Sequence, residues 1–225
     1  MMSGKLFVVA TPIGNIKDIT LRALEILKEV DLILCEDTRR TRPLLTHYGI
    51  SNELQSYNEH NERDRIPKTI EMLEEGHNIA LVSDAGTPGI SDPGYRLVRE
   101  ARIHGIEVVS VPGPSAIIAA ISISGLPTDK FVFEGFLPRK KNKRLKRLGF
   151  LKNEDRTIII YESVHRIERT LREILEIMGD REVALCRELT KLHEEVKFGQ
   201  LSDIIAEGIK EKGEFVIVLR GKDES

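Results

Sequence analysis

Short apolar runs alternate with segments of helical periodicity along most of the 225-residue chain. Buried strands that alternate with helices are typical of a largely parallel sheet, so the pattern predicts an α/β fold. Strands are expected at 6–10, 32–35, 79–82, 108–111, 131–136, 157–161, 182–186 and 214–219. Helices are expected at 21–30, 66–75, 95–102, 117–124, 144–151, 167–178 and 201–212.

The alternation breaks near Gly125-Leu126-Pro127-Thr128, where a new strand follows a Gly/Pro turn. We therefore expect two α/β domains, 1–125 and 126–225, with a ligand cleft between them.

Composition limits the class of protein. Hydrophobic residues make up 40% of the chain, enough for a proper core, and no apolar run approaches the roughly 18 residues of a membrane span. The N-terminus shows no signal-peptide pattern, and Cys35 and Cys186 are isolated in apolar surroundings. These features indicate a cytoplasmic protein with reduced thiols and no contact with a membrane. No His/Cys grouping has metal-ligand spacing, so no metal is expected.

Three predicted strands end in loops rich in glycine and proline, at 11–15, 83–94 and 112–116. Within 83–94, Asp92 is the expected N-cap and Pro93 the expected first residue of the next helix. An ordinary strand-to-helix turn could explain one such loop. Because open α/β sheets bind ligands at the carboxyl ends of their strands, the repetition predicts a shared ligand site.

The ligand loops lack the patterns of several common sites. None has the Gly-x-Gly-x-x-Gly turn of dinucleotide sites, a Walker lysine or a Gly-x-Ser-x-Gly nucleophile elbow. The predicted site is mostly neutral and rich in backbone groups, with Asp84 at its edge. It suits a compact ligand with many polar atoms and little net negative charge.

Six motifs, in order along nearly the whole chain, resemble the tetrapyrrole-methylase fold and, more narrowly, its small-subunit ribosomal-RNA (cytidine-2′-O)-methyltransferase branch. They are Thr11–Asn15, Cys35–Arg39, Tyr57–Glu62, Ser83–Gly94, Val111–Ala116 and Glu134–Lys140. The wider family usually opens with a Gly-x-Gly-x-Gly-Asp type loop, whereas Thr-Pro-Ile-Gly-Asn here is similar to the RNA branch.

The resemblance implies S-adenosyl-L-methionine (AdoMet), bound in the cleft between the domains, and a homodimer. It implies that Ile13 and Gly14 line the floor of the site and that Asp84 and Thr87 hold amino-acid or ribose groups. It further implies contacts from Ser115 and Ala116 at a helix start, and from Tyr161 and Leu189 on the adenine side. From periodicity alone, Tyr161 and Leu189 could equally be core residues.

Residues 139–147 carry seven cationic side chains in nine positions, in a chain of net charge −2. Such a run is commonly a solvated helix face. Because the run lies next to the expected cleft, we interpret it as a phosphate-contacting patch for small-subunit rRNA. A segment of this kind can stay disordered until its RNA partner binds. The predicted RNA contacts in this run are Arg139, Lys140, Lys141, Lys143 and Arg144. Arg39, together with Arg40 and Arg42, is predicted to extend the contact surface from the first domain. The arginines of the first domain could instead pair with Glu36 and Asp37.

Methyl transfer to a ribose 2′-hydroxyl needs a base or a cation that stabilises the oxyanion. The candidates are Glu59, His60, Asp37 and Lys191, although His60 could equally be a surface hydrogen-bonding residue. Two other functions stay open: a small-molecule methylase acting on a tetrapyrrole-like acceptor, and a non-catalytic RNA-binding assembly factor. The basic run favours the rRNA methyltransferase over the first, and the intact loops favour it over the second.

Overall fold

The computed structural model describes residues 3–210 and 212–222, which form two compact units, 1–115 and 116–225. The boundary expected from the sequence lies one helix further along the chain. Helix α5 (Ala116–Ile123) belongs to the second unit, where it packs against strand β10 (Glu214–Leu219).

The first unit contains a five-stranded parallel sheet of order β3-β2-β4-β1-β5. Its strands are β1 (Lys5–Val9), β2 (Leu32–Cys35), β3 (Leu54–Ser56), β4 (Ile79–Leu81) and β5 (Glu107–Val111). Its helices are α1 (Leu21–Glu29), α2 (Thr38–His47), α3 (Glu62–Glu74) and α4 (Tyr95–Ile103). The parallel α/β arrangement confirms the prediction for this half of the chain.

Every residue of β2 and β4 is buried, as expected for central strands covered by helices on both faces. Helix α1 begins after Thr20, whose hydroxyl accepts a hydrogen bond from the Ala23 N–H at 3.1 Å. The apolar stripe of α1 packs Ala23 and Leu27 on one side of the sheet, and α3 and α4 cover the other.

The second unit has a sheet of order β6-β7-β10-β8-β9. Its strands are β6 (Phe131–Phe136), β7 (Thr157–Ser163), β8 (Glu182–Arg187), β9 (Glu195–Gln200) and β10. Besides α5, its helices are α6 (Lys141–Leu151), α7 (Ile167–Met178) and α8 (Leu201–Glu207). Only β6 and β7 pair in parallel, while β7–β10, β10–β8 and β8–β9 are antiparallel. The prediction of a largely parallel sheet is therefore wrong for this unit, because β8 and β9 form an antiparallel hairpin and β10 lies between β7 and β8, antiparallel to both.

Two boundaries also differ from expectation. Helix α8 ends at Glu207, five residues early, because Gly208 adopts a φ of 85° that terminates the helix. Helix α4 begins at Tyr95 after Gly94, whose φ is 147°. Asp92 is therefore not the N-cap and Pro93 is not in the first turn.

Both cysteines are free thiols in buried strands, Cys35 on β2 and Cys186 on β8. Burial raises the pKa of the Cys186 thiol to about 12 and also raises that of Cys35. Within the described ranges, no helix is both long enough and apolar enough to cross a membrane.

Candidate active site

The three Gly/Pro loops follow strands that are neighbours in the first sheet. β1 lies between β4 and β5, and all three strands run in the same direction. The carboxyl ends of these three strands therefore lie side by side. The three loops start there, at 11–15, 83–94 and 112–116.

Direct hydrogen bonds tie these loops together. Thr11 and Gly86 each donate a backbone N–H to the other's carbonyl at 2.9 Å, and the Thr11 hydroxyl donates to the Ser83 carbonyl at 3.0 Å. The Thr87 hydroxyl donates to the Pro114 carbonyl at 3.3 Å, which links the second loop to the third. The loops thus form one preorganised element rather than three separate turns.

Gly86 is favoured at its position by its backbone conformation. Its φ of 84° lies in the left-handed region, whereas a Cβ there would make only ordinary contacts, 3.4 Å from the Ile13 Cγ2 atom and 3.7 Å from the Pro114 oxygen. Loop residues predicted as ligand contacts surround it: Ile13 and Thr87 are half-buried and Gly14 is exposed. Ser115 ends this unit, and Ala116 opens α5 of the second unit.

Asp84 lies in the loop that follows β4, and its side chain is 17% exposed. One oxygen accepts a hydrogen bond from the Asp37 N–H at 3.1 Å, and the other lies 3.5 Å from the Arg40 Nε atom. Desolvation raises the pKa of Asp84, and the hydrogen bond and Arg40 only partly oppose this. The carboxylate is therefore positioned by its neighbours while one side remains open to a ligand.

Two further acids, which sequence reasoning did not assign to the site, lie near Asp84. Desolvation and the negative charges of Glu36 and Asp84 raise the pKa of Asp92 to about 6, although a hydrogen bond with Ser83 opposes the shift. Desolvation, followed by the charge of Asp84, also raises the pKa of Glu36. The Cys35–Arg39 motif contained Glu36, but nothing in the sequence showed that the 83–94 loop turns Asp92 towards it.

An open cavity of about 520 Å³ in the first unit brings several predicted residues together. Asp84, Glu59, His60 and Arg39 all line it, with the polar side chain of Asn58. This volume is within the range of small-ligand sites. A larger cavity of about 670 Å³ borders α7 in the second unit and is lined by none of the predicted site residues.

The catalytic candidates that line the cavity differ in whether a neighbouring residue already binds their side chains. Glu59 and His60 are exposed at its rim. Asp37 caps α2 and forms an ion pair with Arg39 at 2.7 Å, and hydrogen bonds from Arg39 lower the pKa of Asp37 to about 2. Asp37 is therefore a poor proton acceptor at neutral pH, whereas no residue that the structure describes engages the side chain of Glu59 or His60.

Lys191 lies in the second unit, where its Nζ donates to Glu188 at 2.9 Å and to Glu214 at 2.8 Å. Desolvation lowers the pKa of Lys191, but the two carboxylates outweigh it and the net shift is upward. Lys191 is thus a held cation and not a base. Its neighbour Leu189 is buried between Glu188 and Thr190, whose φ values are 51° and 65°.

Tyr161 is half-buried on β7, with its ring edge-to-face with Phe133 at 4.9 Å and Phe136 at 5.6 Å between centroids. It is therefore partly accessible, while Leu189 is 8% exposed. Their assignment to the adenine side of a ligand stays a prediction.

The basic run forms an ordered helix rather than a disordered segment. Arg139, Lys140, Lys141 and Lys143 are exposed where α6 begins. Arg144 corrects the prediction: its side chain is 1% exposed and its guanidinium donates to Glu173 at 2.5 and 2.8 Å. A buried guanidinium committed to a carboxylate is not available to a phosphate.

The arginines of α2 are also partly committed. Arg39 is 88% exposed but paired with Asp37, Arg40 lies beside Asp84, and Arg42 donates to the Asn52 carbonyl at 3.4 Å. The pairing alternative is thus realised for Arg39, in an exposed ion pair that a phosphate can displace at small cost.

Residues 5–205 match the family model described as Tetrapyrrole (Corrin/Porphyrin) Methylases. The chain belongs to this family. A crystal structure of the methyltransferase CobJ superimposes with a TM-score of 0.71 at 23% identity, covering 97% of this chain and 95% of that one.

Within the tetrapyrrole methylase family, the chain is similar to curated relatives over nearly its full length. It is 55% identical to "Ribosomal RNA small subunit methyltransferase I" of Thermotoga maritima, over 98% of this chain and 100% of the relative. It is 49% identical to the protein of the same name from Escherichia coli O157:H7, over 97% of this chain and 78% of the relative.

Proposed function

We propose that this protein is an AdoMet-dependent methyltransferase that methylates the ribose 2′-hydroxyl of a cytidine in small-subunit rRNA. The observation that carries the proposal is the 55% identity to a small-subunit rRNA methyltransferase over 98% of this chain and the whole of the relative. The cytidine and the 2′-oxygen come from the resemblance of the six motifs to that branch of the family.

The loops of the first unit fit the chemistry of AdoMet. The cofactor carries a positive sulfonium, an ammonium and a carboxylate, so it needs no cluster of phosphate-binding cations. Ile13 and Gly14 would contact it through backbone and apolar atoms, Ser115 and Ala116 through the start of α5, and Asp84 with Thr87 through polar groups. Bound there, AdoMet supplies an electrophilic methyl group. Tyr161 and Leu189 stay predicted contacts of the adenine.

Glu59 and His60 are the proposed groups that receive the proton of the 2′-hydroxyl. Both line the cavity that also contains Asp84, and neither has its acceptor atoms engaged in an ion pair among the described residues. Holding the reacting groups at near-attack distance contributes about 7–11 kcal/mol to such reactions, and a positioned base adds about 10²–10⁴-fold in rate. Lys191 fits the role of an electrostatic stabiliser better than that of a base, because its amine is a cation held by two carboxylates.

The proposed RNA contacts are Arg139, Lys140, Lys141 and Lys143 on the second unit and Arg39 on the first. Phosphate contacts of this kind position an RNA without reading its sequence. An rRNA substrate also implies a cytoplasmic enzyme, and the family resemblance implies a homodimer.

The test is an assay with tritiated AdoMet and three acceptors: small ribosomal subunits, free small-subunit rRNA and a porphyrinoid. Nucleoside digestion that yields 2′-O-methylcytidine supports the proposal. A labelled porphyrinoid instead supports a tetrapyrrole methylase, and subunit binding without label supports an assembly factor.

The cofactor site has a separate test by calorimetry. Asp84→Ala is expected to abolish AdoMet binding, whereas Asp64→Ala, which removes an exposed carboxylate from the first turn of α3, is expected to leave it unchanged. Unchanged binding in the Asp84 variant would reject that residue as a cofactor ligand.

A further inference from the structure

Buried residues on one side of helix α6 fix its orientation about the helix axis. The Arg144 guanidinium binds Glu173 and also donates to the carbonyls of Pro138 and Arg139, at 3.2 and 2.9 Å. Leu148 and Leu151 continue the same buried side into the core of the second unit. The opposite side of the helix must therefore face outward.

Three residues of chemical interest share that outward side: Lys143, Lys146 and Phe150. With about 100° per residue, Lys143 and Phe150 are two turns apart and within about 20° of each other around the axis. Lys146 lies one turn before Phe150, which is 66% exposed.

The two lysines differ from their neighbour Arg147, which donates to Glu134 at 2.5 and 2.6 Å. In the part of the chain that the structure describes, no carboxylate lies within ion-pair distance of Lys143 or Lys146. Their charges are therefore available to an anionic partner, and the buried Arg144 holds them on an ordered scaffold.

A single exposed phenylalanine needs no functional explanation. A phenyl ring one turn from an unpaired ammonium group, on a helix with further exposed cations at its start, matches the two components of a nucleic-acid strand. The cations complement phosphates, and the ring offers a face on which a base can stack. Bases within a duplex are already stacked, so such a platform serves an unpaired one.

We propose that Phe150, with Lys143 and Lys146, forms a stacking site for an unpaired base of the RNA substrate. This inference rests on the proposed function, since it assumes an RNA acceptor, and adds a contact that the cationic residues alone do not make. It predicts that the lysines of α6 contribute a part of the RNA affinity that depends on salt concentration. The aromatic ring contributes a part that does not.

The experiment measures RNA binding by fluorescence anisotropy over a series of salt concentrations. The probe is a labelled single-stranded RNA of about 12 nucleotides, a typical length for a single-strand binding site, and the same RNA in a duplex is compared with it. Phe150→Ala and Phe150→Leu are both expected to weaken single-strand binding about 5- to 150-fold without changing the slope of log affinity against log salt. Phe150→Trp should bind at least as well as the unaltered protein. Lys143→Ala and Lys146→Ala should each reduce the slope by about 0.7.

Phe198→Leu is the matched control, because Phe198 is 55% exposed on β9 of the same unit. Its affinity for RNA should not change. Sedimentation of each variant detects the competing use of Phe150, a contact with a second copy of this chain.

Unchanged single-strand affinity in both Phe150→Ala and Phe150→Leu would overturn the inference, as would an equal loss for single strand and duplex. A Phe150 variant that dissociates a dimer and still binds RNA normally would also overturn it. In each of these cases, formation of 2′-O-methylcytidine by the unaltered enzyme would leave the proposed function standing.

Discussion

Thr11 and Gly86 exchange two backbone hydrogen bonds of 2.9 Å, although they lie on loops that follow different strands. The pair fixes the loop after β1 against the loop after β4. Any change that moves either backbone must disturb both loops, and the candidate cofactor contacts Ile13, Gly14 and Asp84 with them.

Gly86→Ala tests this coupling. A non-glycine residue at a φ of 84° costs about 1–2 kcal/mol of unfolding free energy. We expect that loss in urea denaturation. Relief of the strain moves both loops, so we also expect a weaker AdoMet affinity, by about tenfold where the displacement costs about 1.4 kcal/mol of binding free energy. Gly105→Ala is the control: Gly105 has a φ of 70° and open space around it, so it should lose similar stability and retain affinity. Equal affinities in the two variants would argue against the coupling.

His60→Ala is expected to lower kcat by about 10²–10⁴-fold while changing KM little, because a proton acceptor acts in the transition state more than in binding. Single-turnover methylation of small subunits measures the effect. His104→Ala removes a histidine that contacts Glu74 outside the cavity and should behave as the unaltered protein. A normal single-turnover rate in the His60 variant would shift the role to Glu59.

Asp92 should make the stability of the ligand-free protein depend on pH. Its pKa is raised in the folded state to about 6 from the ordinary value of 3.8, so its contribution is fully favourable below pH 3.8 and is lost as the pH rises through 6. Asp92→Asn removes this loss. Urea denaturation at several pH values should show the variant gaining on the unaltered protein between pH 4 and 7, by at most about 3 kcal/mol. A difference that is constant with pH would show that Asp92 ionises normally.

The buried pair of Arg144 on α6 and Glu173 on α7 should matter far more for stability than an exposed pair within α7. Arg144→Met leaves the Glu173 carboxylate buried without its partner, which is expected to cost about 3–5 kcal/mol. The exposed pair of Arg172 and Glu168 is the control, and Arg172→Met should cost about 0.3–0.5 kcal/mol. Similar losses from the two variants in urea denaturation would contradict the structural role of Arg144.

Four of the five strands of the first unit could be predicted from the sequence, most clearly β2 and β4, which are short, fully buried apolar runs. Strand β3 was missed because it has only three residues and none of them is fully buried. Helix α2 was missed because its sequence is dominated by arginine and threonine and contains Pro43, so it shows little apolar periodicity. Strand β9 was missed because its alternating residues include Gly199 and two charged side chains, which weakens the signal of an edge strand.

The parts of the candidate site that belong to a single loop could be predicted from the sequence. The Gly/Pro loops and Asp84 follow directly from strands, and their meeting follows from a parallel sheet. The acidic cluster of Glu36, Asp84 and Asp92 was not predictable, since it depends on how the 83–94 loop folds back. Arg144 was assigned to the wrong side of its helix. Within the run of seven cations, its helical spacing from Leu148 and Leu151 was the only indication that this side chain is buried.

Each unit carries a single cysteine on a buried, non-edge strand of its sheet, Cys35 on β2 in the first and Cys186 on β8 in the second. Because both thiols are buried and kept protonated, an alkylating reagent can modify them only when the surrounding sheet opens. The labelling rates of the two tryptic peptides therefore report the opening of each half separately, without any introduced probe, and reveal which half AdoMet or RNA holds closed.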